Sequence, residues 1–341
     1  MTIPQSASSA GEATTVQTAT GPVPVASLGK TLMHEHVFTF HSDLRGDYPW
    51  KNEQAHVDGA VDKLRRLKDA GYTTVVDLTV PGLGRDVARV ARIAGRADVN
   101  VLTATGVYTF RDMPSFFRRG LEAVGPSYVE DFFVREITDG IGDTGVRAAV
   151  LKCVTDVHGL TPDVETLLRS AARAHHRTGA PISTHTHAAL ETGLLQQRVF
   201  REEGVDLSEV VIGHSDCTTD LAYLQRLIDA GSYIGMDRFG NYAAWSLEGK
   251  LRVVTELCRR GHASAIVLSH DTNCGGDFDP QTALEQWRYG EIPTVVVPAL
   301  QERGVSEEDL RLMLIENPRR IFERAAQHAA TVAAAPTGDS R

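Results

Sequence analysis

The stretch "TLMHEHVFTF", residues 31–40, decides the fold. It opens as a buried β-strand and carries His34 and His36 two positions apart, where a nucleotide-binding sheet would carry a glycine-rich turn. Side chains alternate along a strand, so both imidazoles share one face and Met33, Glu35 and Val37 take the other. Two nitrogen donors on one face suit a metal. They equally suit one hydrogen-bonded core histidine and one surface histidine, and only the remaining chain separates these readings.

Seven further runs resemble the first. They are "TTVVDLT" (73–79), "VNVLTAT" (99–105), "AAVLKC" (148–153), "PISTHT" (181–186), "VVIGHS" (210–215), "SYIGMD" (232–237) and "AIVLSHD" (265–271). Short apolar, β-branched runs of this kind predict buried parallel strands. Amphipathic helices lie between them. In "TPDVETLLRSAARAHHRTGA" Thr161 caps, Pro162 takes the first position, Leu167 and Leu168 lie on the apolar stripe, and Gly179 stops the helix. In "HVDGAVDKLRRLKDAG" Val57, Val61, Leu64 and Leu67 share a face and Gly71 follows the end. In "SEEDLRLML" Ser306 and Asp309 form a capping pattern. Eight strand and helix repeats predict an α/β protein with a closed (β/α)8 TIM barrel, with an open doubly wound sheet as the alternative.

The composition agrees. The chain has 341 residues, 42% hydrophobic and 23% charged, and no apolar run long enough to span a membrane. A formal charge of −9, without a basic block, argues against nucleic acid. The first twenty residues lack the basic start and apolar centre of a secretory signal. Cys153, Cys217, Cys258 and Cys274 lie far apart, which fits a reducing cytoplasm. The expected organisation is a disordered lead-in over 1–21, one barrel domain over 22–325 and a disordered tail over 326–341, where the apolar stripe ends at Phe322.

Barrel enzymes place reactive groups at the C-terminal ends of strands. There the runs end in His34 and His36, Lys152, His185 (or His187), His214 and Asp271. Six donor-type side chains at one depth in five strands overturn the bland reading of the first pair. Imidazoles and carboxylates are zinc ligands, and four histidines with an aspartate exceed the needs of one catalytic ion. Lys152 cannot coordinate as an ammonium. It either snorkels to solvent, forms a Schiff base, or combines with carbon dioxide into an anionic carbamate.

"TLMHEH", "AAVLKC", "STHTH", "IGHSD" and "LSHD", in that order, resemble the phosphotriesterase family of the amidohydrolase superfamily over roughly residues 22–325. The resemblance implies two divalent ions, zinc first with cobalt, manganese or iron as alternatives. It assigns His34, His36 and Asp271 to one ion, His185 and His214 to the other, and a carbamate on Lys152 as the bridge. It selects His185 over His187. It also implies a hydroxide shared by the metals as nucleophile, with Asp271 as proton acceptor. His270 is expected to point away, Cys153 to pack, and His158, His175, His176 and His262 to lie on the surface.

"ATGVYTFRDMPSFF" and "GSYIGMDRFG" resemble the lactonase branch, which implies lactone substrates, including N-acyl homoserine lactones, with organophosphate hydrolysis as a side activity. Tyr108 and Arg238 match that branch's substrate-facing tyrosine and arginine. A homodimer is the assembly the resemblance implies. Two positions depart from the family pattern. Cys217 stands where an aspartate is usual, with Asp216 adjacent but misdirected, and "TNCGGDFDPQTALEQWRYGEIP" after the last run is short. Trp287, Phe278 and Trp245 are candidate pocket walls. The rival readings are an organophosphate triesterase proper and a non-catalytic barrel that binds a metal or a partner.

Overall fold

The computed structural model describes residues 14–41, 52–240, 246–276 and 289–334. Each of the eight runs forms a strand: β3 (Lys30–Glu35), β4 (Tyr72–Asp77), β5 (Asn100–Gly106), β6 (Val150–Val154), β7 (Ile182–His185), β8 (Val210–Ile212), β9 (Tyr233–Met236) and β10 (Ile266–Leu268). All neighbours pair in parallel and in sequence order from β3 to β10. The circle closes just beyond the strand ends: the Asp271 N–H donates to the His34 carbonyl at 3.1 Å, and His36 bridges to Asn273. This is a (β/α)8 TIM barrel.

Alternation divides the core. Leu32, Val75, Val101, Leu151, Ile182 and Ile212 pack outward with helix residues such as Val57, Leu64, Leu168 and Leu224. Val76, Leu102, Ala104, Val150, Val211 and Val267 form a second cluster inside the barrel. Met33 joins that second cluster, contrary to strict alternation along the first run. A register shift against β4 between Leu32 and Glu35 inserts an extra residue, and a bulge of this kind re-aims the side chains beyond it.

The helices start and stop where the sequence places its caps. The Thr161 hydroxyl accepts from the Val164 N–H, and Gly179 ends the helix Pro162–Thr178 at φ 73°. Ser306 and Asp309 form the reciprocal box. Both expected ends of the domain require correction. Residues assigned to a disordered lead-in form β1 (Thr15–Thr18), which pairs antiparallel with β2 (Gly21–Pro24). The last helix, Asn317–Ala334, extends eight residues past Ala326 into the stretch read as tail. Val16, Val25 and Leu28 at one end of the chain and Ile321 and Phe322 at the other join the inner cluster and plug the N-terminal end of the barrel. Only the opposite end is left for chemistry.

Candidate metal centre

Loop geometry at the C-terminal mouth fixes the donors. His214 and Asp271, immediately beyond β8 and β10, both adopt the left-handed backbone, at φ 57° and 51°. Non-glycine residues rarely hold that conformation, and where they do the strain concentrates at functional sites. Gly106 ends β5 at φ 136°, where an added Cβ would lie 2.0 Å from the Lys152 carbonyl oxygen. Glycine thus allows the close approach of β5 to the strand that carries Lys152.

The structure brings all six sequence-predicted donors together. His34, Lys152, His185 and His214 are each no more than 3% exposed. Lys152 Nζ lies 2.9 Å from His34 Nε2. Asp271 Oδ1 lies 3.4 Å from His36 Nε2 and 3.7 Å from His34 Nε2, and its Oδ2 lies 3.8 Å from His214 Nε2. His185 Nδ1 approaches His214 Nε2 to 2.9 Å.

Every one of the four imidazoles is tied at its other nitrogen to an oxygen. Asp237, at the end of β9, receives both the His34 Nδ1–H at 2.9 Å and the His214 Nδ1–H at 2.8 Å, one on each carboxylate oxygen. His185 donates from Nε2 to Asp156 at 2.5 Å. His36 donates from Nδ1 to the Thr79 hydroxyl at 2.8 Å, which donates in turn to Asp77 at 2.5 Å. Such contacts fix tautomer and ring orientation, leaving one bare nitrogen on each ring, and metal-binding histidines are held in this way. Burial opposes ionisation of Asp237, yet His214 and His34 hold its carboxyl far below the usual range. Asp237, Asp156, Thr79 and Asp77 were not singled out by sequence reasoning, although Asp237 and Asp77 end or nearly end their runs.

Burial keeps the rings of His34, His185 and His214 neutral. Burial pushes His34 and His214 below the ordinary histidine value and takes His185 from 6.5 down to about 4. A histidine depressed in the fold binds fewer protons than in the unfolded chain across that interval, so stability rises with pH there and is lost as pH falls below 6.5. Chelator-treated protein is therefore expected to lose stability between pH 6.5 and 4, by about 3 kcal/mol for His185 alone. Urea midpoints at several pH values check this, and a flat profile counts against it.

The two substrate-facing candidates lie at the same mouth. Arg238 Nε donates to Asp271 Oδ2 at 3.0 Å, and its Nη1 reaches Cys217 Sγ at 3.6 Å. The Tyr108 ring meets His185 edge to face at 5.6 Å, with Phe110 beside both. Burial pushes the Tyr108 phenol well above its ordinary value, so it stays protonated and can donate. Asp216 turns away, as expected, to a buried ion pair with Lys250 at 2.7 Å, and accepts the Arg238 N–H at 3.0 Å. His270 also points away, held between Glu35 at 2.8 Å and the Ile292 N–H at 3.0 Å. Cys153 is buried as a packing residue. His175, read as a surface residue, is buried instead. Trp287, Phe278 and Trp245, with most of the loop after β10, lie outside the described residues.

Barrel and cluster together define the class: a (β/α)8 protein with a convergent set of metal-type donors at its C-terminal mouth. Comparison with known proteins supplies the family. The phosphotriesterase family model matches residues 14–322. A phosphotriesterase homology protein of Mycobacterium tuberculosis is 51% identical over 318 residues, 91% of this chain and 98% of that protein. An aryldialkylphosphatase of Saccharolobus solfataricus is 34% identical over 304 residues, 86% of this chain and 95% of that one. The solved phosphotriesterase from M. tuberculosis superposes with a TM-score of 0.88, covering 91% of this chain and 98% of its own. The chain belongs to the phosphotriesterase family.

Proposed function

We propose that this protein is a binuclear metal-dependent hydrolase whose main substrates are lactones and which hydrolyses organophosphate triesters as a side activity. The observation that carries the reading is the matched tethering of His34, His36, His185 and His214, each with one nitrogen on an oxygen and the other bare, facing Lys152 or Asp271 for His34, His36 and His214 and facing His214 for His185. Bare nitrogens of His185 and His214 only 2.9 Å apart repel unless a proton or a cation lies between them. The donor set fits two dications: His34, His36 and Asp271 would hold one, His185 and His214 the other, and Lys152 would bridge as a carbamate. Mixed imidazole and carboxylate donors favour zinc, with cobalt, manganese or iron as substitutes. Bound ions supply an acidified water as nucleophile and a Lewis acid for the scissile group's oxygen.

The protein's own groups do the rest. Lys152 can become a ligand because burial takes its ammonium down to about 8, leaving neutral amine at physiological pH to attack carbon dioxide and release a proton to solvent. Asp271 stays ionised: burial opposes this, but His214, His36, His34 and Arg238 together hold its carboxyl well below the ordinary range. It is thus ready to accept a proton at Oδ1 or Oδ2. Arg238 orients that carboxylate. Tyr108 donates to the ring oxygen of a lactone, which must take up a proton as it leaves as an alkoxide, whereas the aryloxide of an aryl phosphotriester leaves without one.

That difference gives the test. Tyr108→Phe is expected to lower kcat/KM on a homoserine lactone and a δ-lactone about tenfold and leave an aryl phosphotriester within about twofold. Equal losses on all three would remove Tyr108 from lactone recognition, and a wild type faster on the phosphotriester than on either lactone favours the second reading, a triesterase proper. The similarity to an aryldialkylphosphatase supports that reading.

No described helix is long and apolar enough to cross a membrane. All four cysteines are unpaired, which supports a cytoplasmic location. A homodimer is proposed with it.

A further inference from the structure

Glu35 stands between the donors His34 and His36 in the chain and is 0% exposed. Its carboxylate collects hydrogen bonds from one short segment, residues 269–272. Oε1 accepts the Ser269 hydroxyl at 2.9 Å, the His270 N–H at 2.8 Å and the His270 Nδ1–H at 2.8 Å, and Oε2 accepts the Thr272 N–H at 3.3 Å. The His270 proton lies on Nδ1 because its Nε2 accepts the Ile292 N–H. The Ser269 oxygen accepts in turn from the His34 N–H at 2.8 Å.

That segment runs along the seam of the barrel. β3 and β10 stand at the two ends of the strand order, and no ladder joins them among the described residues, whereas every other neighbouring pair of strands shares one. Backbone bonds across the seam begin at the mouth, with the Asp271 N–H on the His34 carbonyl and the His36 N–H on the Thr272 carbonyl at 2.9 Å. Below them the Glu35 carboxylate and the Ser269 hydroxyl take the place of the ladder. The N–H groups of His270, Asp271 and Thr272 are thus all fixed by residues 34 and 35. Asp271, in the middle, is held at φ 51°, a conformation that a non-glycine residue keeps where its surroundings impose it. His185 and His214 are placed by other means. β7 and β8 share a regular ladder, and the two rings are tied to Asp156 and Asp237.

We propose that Glu35 is a positioning residue for one of the two ions: by fastening residues 269–272 to β3 it sets the spacing of His34, His36 and Asp271, the ligand set at the seam, and leaves the His185 and His214 set unaffected. The inference rests on the binuclear reading of the mouth proposed above, and adds to it an unequal dependence of the two ions on a residue that is not itself a ligand. Partners that orient metal ligands are commonly worth about 10-fold to 100-fold in metal affinity.

Zinc titration of the metal-free, full-length protein against a competing chromophoric chelator tests this. Wild type is expected to give two dissociation constants. Glu35→Gln keeps the side chain's shape but turns an NH2 donor toward groups that themselves donate. It is expected to weaken one constant by between about 10-fold and 100-fold and to leave the other within about threefold. Crystals of this variant carrying one zinc per chain should show the anomalous peak between His185 and His214. Ser269→Ala removes the hydroxyl between His34 and Glu35 with the carboxylate intact; it is expected to weaken the same constant, and it answers the question if Glu35→Gln fails to fold. Constants equal to those of wild type in both variants, or a parallel weakening of both ions, would overturn the proposal while the binuclear reading stands. A wild type that binds fewer than two ions would remove that reading and the proposal with it.

Discussion

Lys152→Met is expected to lower kcat/KM by about a thousandfold or more and to cut the metal held at the mouth, with the far-ultraviolet circular dichroism unchanged. Methionine keeps an apolar stem of similar length, so the packing that buries Lys152 to 2% survives. What disappears is the nitrogen. Lys152 stands on β6, opposite His34 at 2.9 Å, and contributes to the field felt by His185. As an ammonium among neutral imidazoles it would repel two dications. As a carbamate it would offer each of them an oxygen, whereas a neutral amine has a single lone pair and could serve only one ion. Metal analysis by mass spectrometry and steady-state kinetics check the prediction. A variant with full metal and more than a tenth of wild-type activity would refute the bridging role.

Asp271→Asn is expected to lower kcat by between about 10²-fold and 10⁴-fold, the range for loss of a positioned proton acceptor. Its oxygens reach His36, His34 and His214, and Arg238 donates to Oδ2, so the carboxylate is a pivot of the mouth and, in the proposed centre, would also be a ligand. The amide cannot accept a proton at neutral pH, and its NH2 would confront Arg238. The acid limb of the pH–rate profile should weaken together with kcat, which a purely structural role for Asp271 would not produce. Cys217 bears on the same question. It occupies the position where a carboxylate relay is usual, and burial pushes its thiol up to about 11, so it supplies no base. If Asp271 needs a relay, Cys217→Asp should raise turnover; if activity is unchanged, proton release goes directly from the mouth to solvent.

The barrel was legible because strands buried on both faces read as continuous β-branched runs, and all eight runs became strands. The donors were legible because a barrel directs strand ends to one mouth. Asp237 was not, because its role depends on β9 lying beside β8 and, once the barrel closes, only one strand away from β3, a relation between distant segments that spacing does not encode. The bulge that turns Met33 inward depends in the same way on register with β4. The hairpin of β1 and β2 is short, polar and proline-bearing, and only its docking under the barrel makes it regular. Alanine-rich sequence beyond Phe322 lacks an apolar stripe but has high helix propensity, which carries the last helix to Ala334. His175 could have been found: Val164, Leu168, Ala171 and His175 fall on one helical stripe, and that stripe is buried.

Anomalous diffraction from crystals of the zinc-loaded protein, recorded on both sides of the zinc edge, tests the binuclear reading most directly. Two peaks are expected at the mouth, one among His34, His36 and Asp271 and one between His185 and His214, with carbamate density extending from Lys152 Nζ toward both. A mouth with no anomalous peak, or a single peak beside an unmodified lysine, would contradict it.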